Sequence, residues 1–364
     1  MPVEAVWWKF QVGGGERRAG GGFMKAGKLP GVVEKRSLLM YTETVNPKAG
    51  ILGMEPAQVV CSEGGNGHFY MMATDQMGIF GNDRTKAFCI GVLFDRVCGK
   101  LAACGATGEA FTVSLSLPSK FEERELKKLA QDIAQAAKER GILAYSVQAQ
   151  GRLKSGEEGV VQMTVTGAGT KSASAAPLQK ILPVEGKSII MAGCAALEAT
   201  AVFILERREF LLRRLASDYL AGGLKKAAQT DMRAAARIAF DCGALVKTAG
   251  EGGVFAALWE LGEYLGCGMD LNPYEILLHQ ETIEVCELLD VSPYMLASGG
   301  CLFAVTEDVC ALLAAYQKAG IPAAKIGTLK GGRDRVLHHG EEERFLEPFR
   351  AEEMYRVLEG NLRN

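Results

Sequence analysis

Residues 251 to 271 constrain the fold most. They run Glu251-Gly-Gly-Val-Phe-Ala-Ala-Leu-Trp-Glu-Leu-Gly-Glu-Tyr-Leu-Gly-Cys-Gly-Met-Asp-Leu. Phe255, Leu258, Leu261 and Leu265 recur at helical spacing, and Glu260 and Glu263 lie off that stripe. Gly252 and Gly253 sit at the entrance, where backbone without a Cβ can bring amide groups close to an anion. The plainer alternative is a tight entry turn with no ligand. Gly266 and Gly268 end the helix, and Met269-Asp-Leu starts an extended segment.

The next elements come in a definite order. The pattern predicts a helix over 281–289, then Pro293, Ser298-Gly-Gly and an apolar run at Leu302-Phe-Ala-Val. A helix over 308–319 and a strand over 323–328 come after it. The first half reads differently. Phe69 to Thr74 predicts a strand ending in Asp75, and 87–94 is an apolar run. Phe111, Val113, Leu115 and Leu117 alternate with Thr112, Ser114 and Ser116, the signature of a half-buried strand. Leu126, Leu129, Ala130, Ile133 and Ala137 mark one face of a helix that Gly141 stops. Strands are predicted over 142–149 and 160–166, around a polar turn at Lys154-Ser-Gly-Glu-Glu. The fold class is therefore α/β in the broad sense, with an α+β first half built on a largely antiparallel sheet and a helix-rich α/β second half.

Four segments are expected: a flexible Gly-rich extension at 1–23, a first domain at 24–169, a second at 177–345, and a polar C-terminal tail at 346–364. The boundary falls in the Ser-, Ala- and Pro-rich stretch 170–186. The charged groups at Glu206-Arg-Arg-Glu and Arg213-Arg214 read as a solvated helix face.

A net charge of −2 argues against nucleic-acid or membrane-surface partners. No apolar run approaches the ~20 residues of a membrane span. The ten cysteines form no Cys-x-x-Cys pair and mostly sit in apolar runs, which reads as reduced thiols and a cytoplasmic protein. Cys301, beside Ser298-Gly-Gly, is the cysteine first in line for a reactive role. His338-His339 reads as a hairpin feature rather than a metal site. Dinucleotide (Gly-x-Gly-x-x-Gly) and P-loop fingerprints are missing, which counts against the commonest other α/β nucleotide enzymes.

Glu251-Gly-Gly, Gln280-Glu-Thr-Ile-Glu-Val-Cys-Glu-Leu-Leu, Ser298-Gly-Gly, and Ile326-Gly after Gly320-Ile stand in an order that resembles the aminoimidazole ribonucleotide (AIR) synthase-like superfamily, its hydrogenase-maturation, HypE-like branch in particular. The resemblance runs from Met24 to Tyr355. It implies a two-domain AIR synthase-like fold, ATP held in a dimer-associated cleft, and carboxylates holding Mg²⁺ on its phosphates.

This sequence departs from that carboxylate pattern. Asp75, in Ala73-Thr-Asp, matches a family Thr-Asp at a strand end, although a turn cap would use the same residue. Glu55, in Gly53-Met-Glu-Pro, falls near a second acidic segment. Glu55 and Asp75 are thus the candidate metal ligands. Where the family has Asn-Asp, this chain has Gly99-Lys100; where it has a Gly-Gly-His/Asp-Thr strand end, Gln148 stands; and Lys247-Thr248 replaces His-Asp. A lysine removes a metal ligand and adds a charge that can meet phosphate directly. Asp75, Lys100, Gln148, Lys247, Glu251, Gly252 and Gly253 are the candidate ligand-binding residues. Two readings are open. One is a homodimer that binds ATP or another phosphate-bearing small molecule with a depleted Mg²⁺ ligand set, acting as an ATP-dependent enzyme of the family type if it is active. The other is a catalytically inactive binding or scaffold relative. The hydrogenase-maturation dehydratase ends in a cysteine, whereas this chain ends Glu359-Gly-Asn-Leu-Arg-Asn, so that particular dehydration is not expected.

Overall fold

A computed structural model describes residues 28–29, 33, 59–63, 68–152, 160–172 and 185–360. The expected extension at 1–23, Glu55 and the turn at 154–158 lie outside the described residues.

Two sheets organise the chain. The first has the order β1-β2-β5-β3-β4, with β1 at Val59–Glu63, β2 at His68–Ile79, β3 at Thr107–Leu117, β4 at Tyr145–Gly151 and β5 at Val161–Ser172. All its pairings are antiparallel except β3 with β4. The second, seven-stranded sheet has the order β12-β11-β8-β10-β6-β9-β7. Its strands are β6 (Ser188–Gly193), β7 (Leu245–Thr248), β8 (Gly268–Leu271), β9 (Cys301–Thr306), β10 (Ala323–Lys330), β11 (Arg335–His339) and β12 (Glu342–Phe345). Only β11 with β8 is parallel. The fold is mixed α/β, as the sequence implies.

Strand β2 shows how the sheet positions a site. Met71, Ala73, Met77 and Ile79 are buried on its inner face. Asp75 has the same parity, so it points inward where an apolar residue would otherwise pack. The strand runs past Asp75 to Ile79 instead of ending there, because a helix above the sheet supplies partners for the carboxylate.

That helix is α1, Asp83–Ala103. Asn82 caps it by accepting from the Arg84 and Thr85 amides. Residues 89–103 are buried on every face, since α1 packs on β2, β3 and β5 and also on β7. A helix enclosed on all sides carries no polar stripe. This is why 87–94 shows up in the sequence only as an apolar run. The amphipathic helix α2, Glu123–Glu139, packs against α1 and stops before Gly141, whose φ is +68°.

Helix α3, Leu197–Glu206, follows β6 and is buried along most of its length. The Gly252-Gly253 turn then opens α7, Gly253–Leu265, numbered after three further helices at Arg208–Leu211, Ser217–Ala227 and Arg233–Asp241. Both glycines have positive φ, +84° and +73°. A Cβ on Gly253 would lie 2.5 Å from the Tyr294 carbonyl oxygen. Tight packing alone therefore requires glycine there. Helices α8, Gln280–Leu289, and α9, Val309–Lys318, complete the second half.

The C-terminal stretch corrects the expectation of a polar tail at 346–364. Leu346 and Phe349 are buried, and residues 353–359 form helix α10, with Met354 0% and Val357 3% exposed. Its apolar face packs into the same core cluster that holds Met71, Phe94 and Val165.

Candidate functional site

A cavity of about 1000 Å³ opens between β2, α1, β7, the turn before α7, and α10. Its floor is an ionic network built on α1. Arg96 and Lys100 are four residues apart, so they share one helix face. That face looks onto β2, where Asp75 points inward. Lys100 Nζ lies 2.8 Å from Asp75 Oδ2 and donates to the Thr74 carbonyl oxygen at 3.1 Å. Burial alone would raise the Asp75 pKa, but Lys100 and Arg96 outweigh it and hold the carboxyl at about 2.

Arg96 is 7% exposed. Its guanidinium forms a two-pronged bond with Glu198 of α3, Nη2 to Oε1 at 2.5 Å and Nε to Oε2 at 3.2 Å. Its Nη1 faces Asp75 and Glu251, 3.8 Å from each. Glu198 is 1% exposed and also accepts the Gly299 amide at 3.1 Å. Thus Ser298-Gly-Gly contributes one backbone donor to a carboxylate beneath the cavity.

A second group sits on the β7 side. Lys247, 4% exposed, lies 3.0 Å from Glu260 Oε2 of α7. Lys28 Nζ lies 2.6 Å from the other oxygen of Glu260. Burial pushes the Glu260 carboxyl up, yet the two ammonium groups bring it down to about 2.

Glu251 links these groups to the last helix. It accepts the Lys28 amide at 2.7 Å and the Tyr355 hydroxyl at 3.1 Å. Its pKa is raised, first by burial and then by Glu198 and Asp75 against the pull of Arg96. Gly252 and Gly253 do not line the cavity. The Gly252 amide donates to Glu352 Oε2 at 2.5 Å, and the Gly253 amide to the Gly250 carbonyl at 3.2 Å. The acceptor at this helix start is the chain's own Glu352 carboxyl. That carboxyl also accepts the Ala297 and Met354 amides at 3.1 and 3.2 Å.

The far wall is built from residues that read in the sequence as a solvated helix face. Glu206 accepts the Asn82 amide at 2.9 Å and its side-chain amide at 2.8 Å, and bonds the Thr85 hydroxyl. Arg207 Nη2 donates to the carbonyls of Val357, Leu358 and Gly360 at 2.6, 2.7 and 3.2 Å. It thereby closes the C-terminal end of α10, where unpaired carbonyls and the helix dipole favour a cation. Phe80 packs edge-on against Tyr355, with ring centroids 6.1 Å apart. Leu358 completes an apolar patch at this end.

Of the residues singled out in the sequence, Asp75, Lys100, Lys247 and Glu251 all line the one cavity. Gln148 is elsewhere. It lies on β4, and its register through Ser114 and Thr164 to Gln76 puts it on the outer sheet face, opposite the one that Asp75 uses. Its Nε2 donates to the Ser114 hydroxyl at 2.8 Å. Cys301 is 1% exposed, and burial pushes its thiol pKa well up, so it is no nucleophile. His338 bonds Asp270 at 2.9 Å and His339 bonds the Tyr274 hydroxyl at 2.7 Å, away from the cavity. The residues that sequence reasoning missed are Arg96, Glu198, Glu206, Arg207, Glu352 and Tyr355. Arg96 alone carried a signal: a cation inside an apolar run, one helical turn before Lys100.

Magnesium requires several oxygen ligands with room for water and phosphate. Here an ammonium occupies the space beside Asp75. Among the described residues, no group of three or more His, Cys, Asp or Glu side chains could hold a metal ion. Of the two candidate metal ligands, Asp75 is paired with Lys100, and Glu55 lies outside the described residues.

The fold defined by these two sheets and their helices is the AIR synthase-like one. Solved structures that share it include E. coli HypE, a hydrogenase maturation protein, at TM-score 0.60 and 19% identity over 78% of this chain and 88% of that one. HypE in complex with ATP matches at TM-score 0.57 and 17% identity, over 90% of this chain and 96% of that one. AaThiL complexed with AMPPCP and TMP matches at TM-score 0.59 and 12% identity, over 88% and 99%. No family model matches the sequence, and comparison with curated proteins gives no match. Among the described residues no helix is long and apolar enough to cross a membrane.

Proposed function

We propose that the chain binds a phosphate-bearing small molecule, a nucleotide first among them, in the cavity floored by Asp75, Arg96 and Lys100, and that it does so without a protein-held metal ion. The observation that carries this reading is the placement of Lys100. A buried ammonium stands beside Asp75 on the cavity floor, where the family resemblance implies a metal-binding carboxylate. Lys247 stands on the adjoining wall. The metal site is read as degenerate: cations have taken over from ligands. Two structural neighbours were solved with ATP or with AMPPCP and TMP, and that supports a nucleotide here. The buried thiols fit a cytoplasmic setting.

A homodimer joined through the first sheets belongs to the same reading. The outer face of that sheet is Thr- and Ser-rich, with a Thr74–Thr166 hydroxyl contact at 3.0 Å, and it exposes Tyr70 by 57% and Met72 by 47%. An uncovered face of that kind is a site for a partner of the same shape.

The test is calorimetric titration of the full chain with nucleotides and inorganic phosphate, with and without EDTA, and with sedimentation on the same samples. Binding should persist in EDTA, weaken steeply with salt, and accompany a dimer mass. Lys100→Asp should cut metal-free binding by at least about tenfold and make the remainder depend on Mg²⁺. A monomer mass at micromolar concentration sinks the dimer. Absence of any nucleotide or phosphate binding sinks the ligand and favours the second reading, an inactive binding or scaffold relative. That alternative draws on the same ion pairs, because a network satisfied internally needs no ligand to be stable.

A further inference from the structure

We propose that the cavity floor takes a hydroxyl group of the ligand, held on Arg96 between Asp75 and Glu251, so that the molecule bound is a phosphate ester of a hydroxylated sugar. This rests on the phosphate-ligand reading above and narrows it.

Arg96 is 7% exposed, yet its guanidinium is only partly used. Nη2 and Nε are committed to Glu198, at 2.5 and 3.2 Å. Among the described residues Nη1 makes no hydrogen bond. It stands 3.8 Å from Asp75 Oδ1 and 3.8 Å from Glu251 Oε1, outside hydrogen-bond range of both. Arg96, Asp75 and Glu251 all line the cavity, so a bound molecule can reach the two N–H groups of Nη1.

The flanking carboxylates decide which chemical group suits this place. Asp75 accepts the Gln76 amide at 2.8 Å and pairs with the Lys100 ammonium at 2.8 Å. Glu251 accepts the Lys28 amide at 2.7 Å and the Tyr355 hydroxyl at 3.1 Å. A carboxylate has about four acceptor positions, so each keeps room for a further donor. An atom about 2.9 Å from Nη1 also comes within hydrogen-bond reach of a carboxylate oxygen, because each oxygen is only 3.8 Å from that nitrogen. Such an atom has to accept from the guanidinium and donate to a carboxylate. A hydroxyl oxygen does both. A phosphate oxygen only accepts, and it would set its charge against that of Asp75. Burial works against the ionised form of Asp75, but Lys100 and Arg96 keep it charged. An ammonium only donates, and would face the guanidinium charge. The phosphate of the ligand is left to the rest of the lining, which includes Lys100 and Lys247.

The experiment is calorimetric titration of the full chain in EDTA at fixed ionic strength. AMP is compared with 2′-deoxy-AMP and 3′-deoxy-AMP, and ribose 5-phosphate with 2-deoxyribose 5-phosphate and inorganic phosphate. At least one deoxy analogue should bind about tenfold more weakly than its parent, since a hydrogen bond to charged groups is lost. Asp75→Asn or Glu251→Gln should narrow that gap by about threefold, because a neutral amide accepts more weakly than a carboxylate. If neither variant folds, the comparison on the unaltered chain decides. Deoxy analogues that match their parents overturn this inference and leave the phosphate-ligand reading standing. Binding of inorganic phosphate without binding of AMP or ribose 5-phosphate does the same. A gap unchanged in both folded variants also overturns it. If none of these phosphates binds, both readings fall together.

Discussion

Arg96→Met should destabilise the protein by about 3–5 kcal/mol, the range for breaking one side of a buried ion pair. The guanidinium is the sole cation within bonding distance of Glu198 among the described residues, and Glu198 is 1% exposed. Removing it leaves that carboxylate with the Gly299 amide, and takes away the cation that stands 3.8 Å from both Asp75 and Glu251. Arg96→Lys should lose less, because it keeps the charge but gives up the two-pronged geometry. The double variant Arg96→Met, Glu198→Gln should recover part of the loss, since the stranded charge goes with its partner. Urea unfolding of the four proteins decides it. A loss below about 1 kcal/mol for Arg96→Met would mean that the network does not hold the cavity floor.

Stability should also fall as pH rises from 5 to 8, and Glu352 should account for much of the slope. Burial pushes its carboxyl from 4.5 up to about 8, with Glu251 and Glu198 adding to the rise and the amides of Gly252 and Met354 working against it. The sign comes from proton counting. Between the two values the folded chain keeps a proton that the unfolded chain has released, so folding is favoured at the lower pH. The contribution is fully present below about 4.5 and is lost as pH passes through about 8. At roughly 1.4 kcal/mol per unit, the change is on the order of 4 kcal/mol. Glu251 is shifted in the same direction and adds to it. Thermal melts of Glu352→Gln across this range should be nearly flat by comparison. If the variant and the unaltered chain show parallel slopes, the Glu352 carboxyl is ionised throughout and the amides have won over burial.

The sequence disclosed those parts of the fold whose signal is local. The helix starting at Gly253 has its stop and start glycines within twenty residues, and β3 shows its alternation directly. The polar face of α2 is legible for the same reason. Helix α1 was harder because both of its sides are covered, so hydrophobicity runs on without period. In the site, Asp75, Lys100, Lys247 and Glu251 could be picked out because the family pattern marks their positions. Gln148 was marked by the same pattern, yet the strand register sends it to the other face. The residues missed owe their roles to distant chain. Arg207 looks like part of a solvated charge cluster until residues 357–360 come back beneath it. Glu352 looks like part of a polar tail until Gly252, a hundred residues earlier in sequence, offers its amide.

The position of α1 has a further consequence. One side of it meets the first sheet and another meets β7 of the second. A single apolar cluster joins Met71, Val113 and Val165 of the first sheet to Phe203, Val285 and Met354 of the second half. The second half has a cluster of its own around Ile189, Leu258 and Phe303, and this shared cluster joins it to the first sheet. A rigid-body swing between the halves would have to break this shared packing, which weighs against opening the cavity by a hinge in the manner of a clamshell. If the proposed ligand binds there, its entry would rely on small local displacements at the rim, and the described part of the cavity is already assembled. A preassembled cavity of this kind would give up little order on binding and would discriminate by fit to a fixed shape and a fixed pattern of charge.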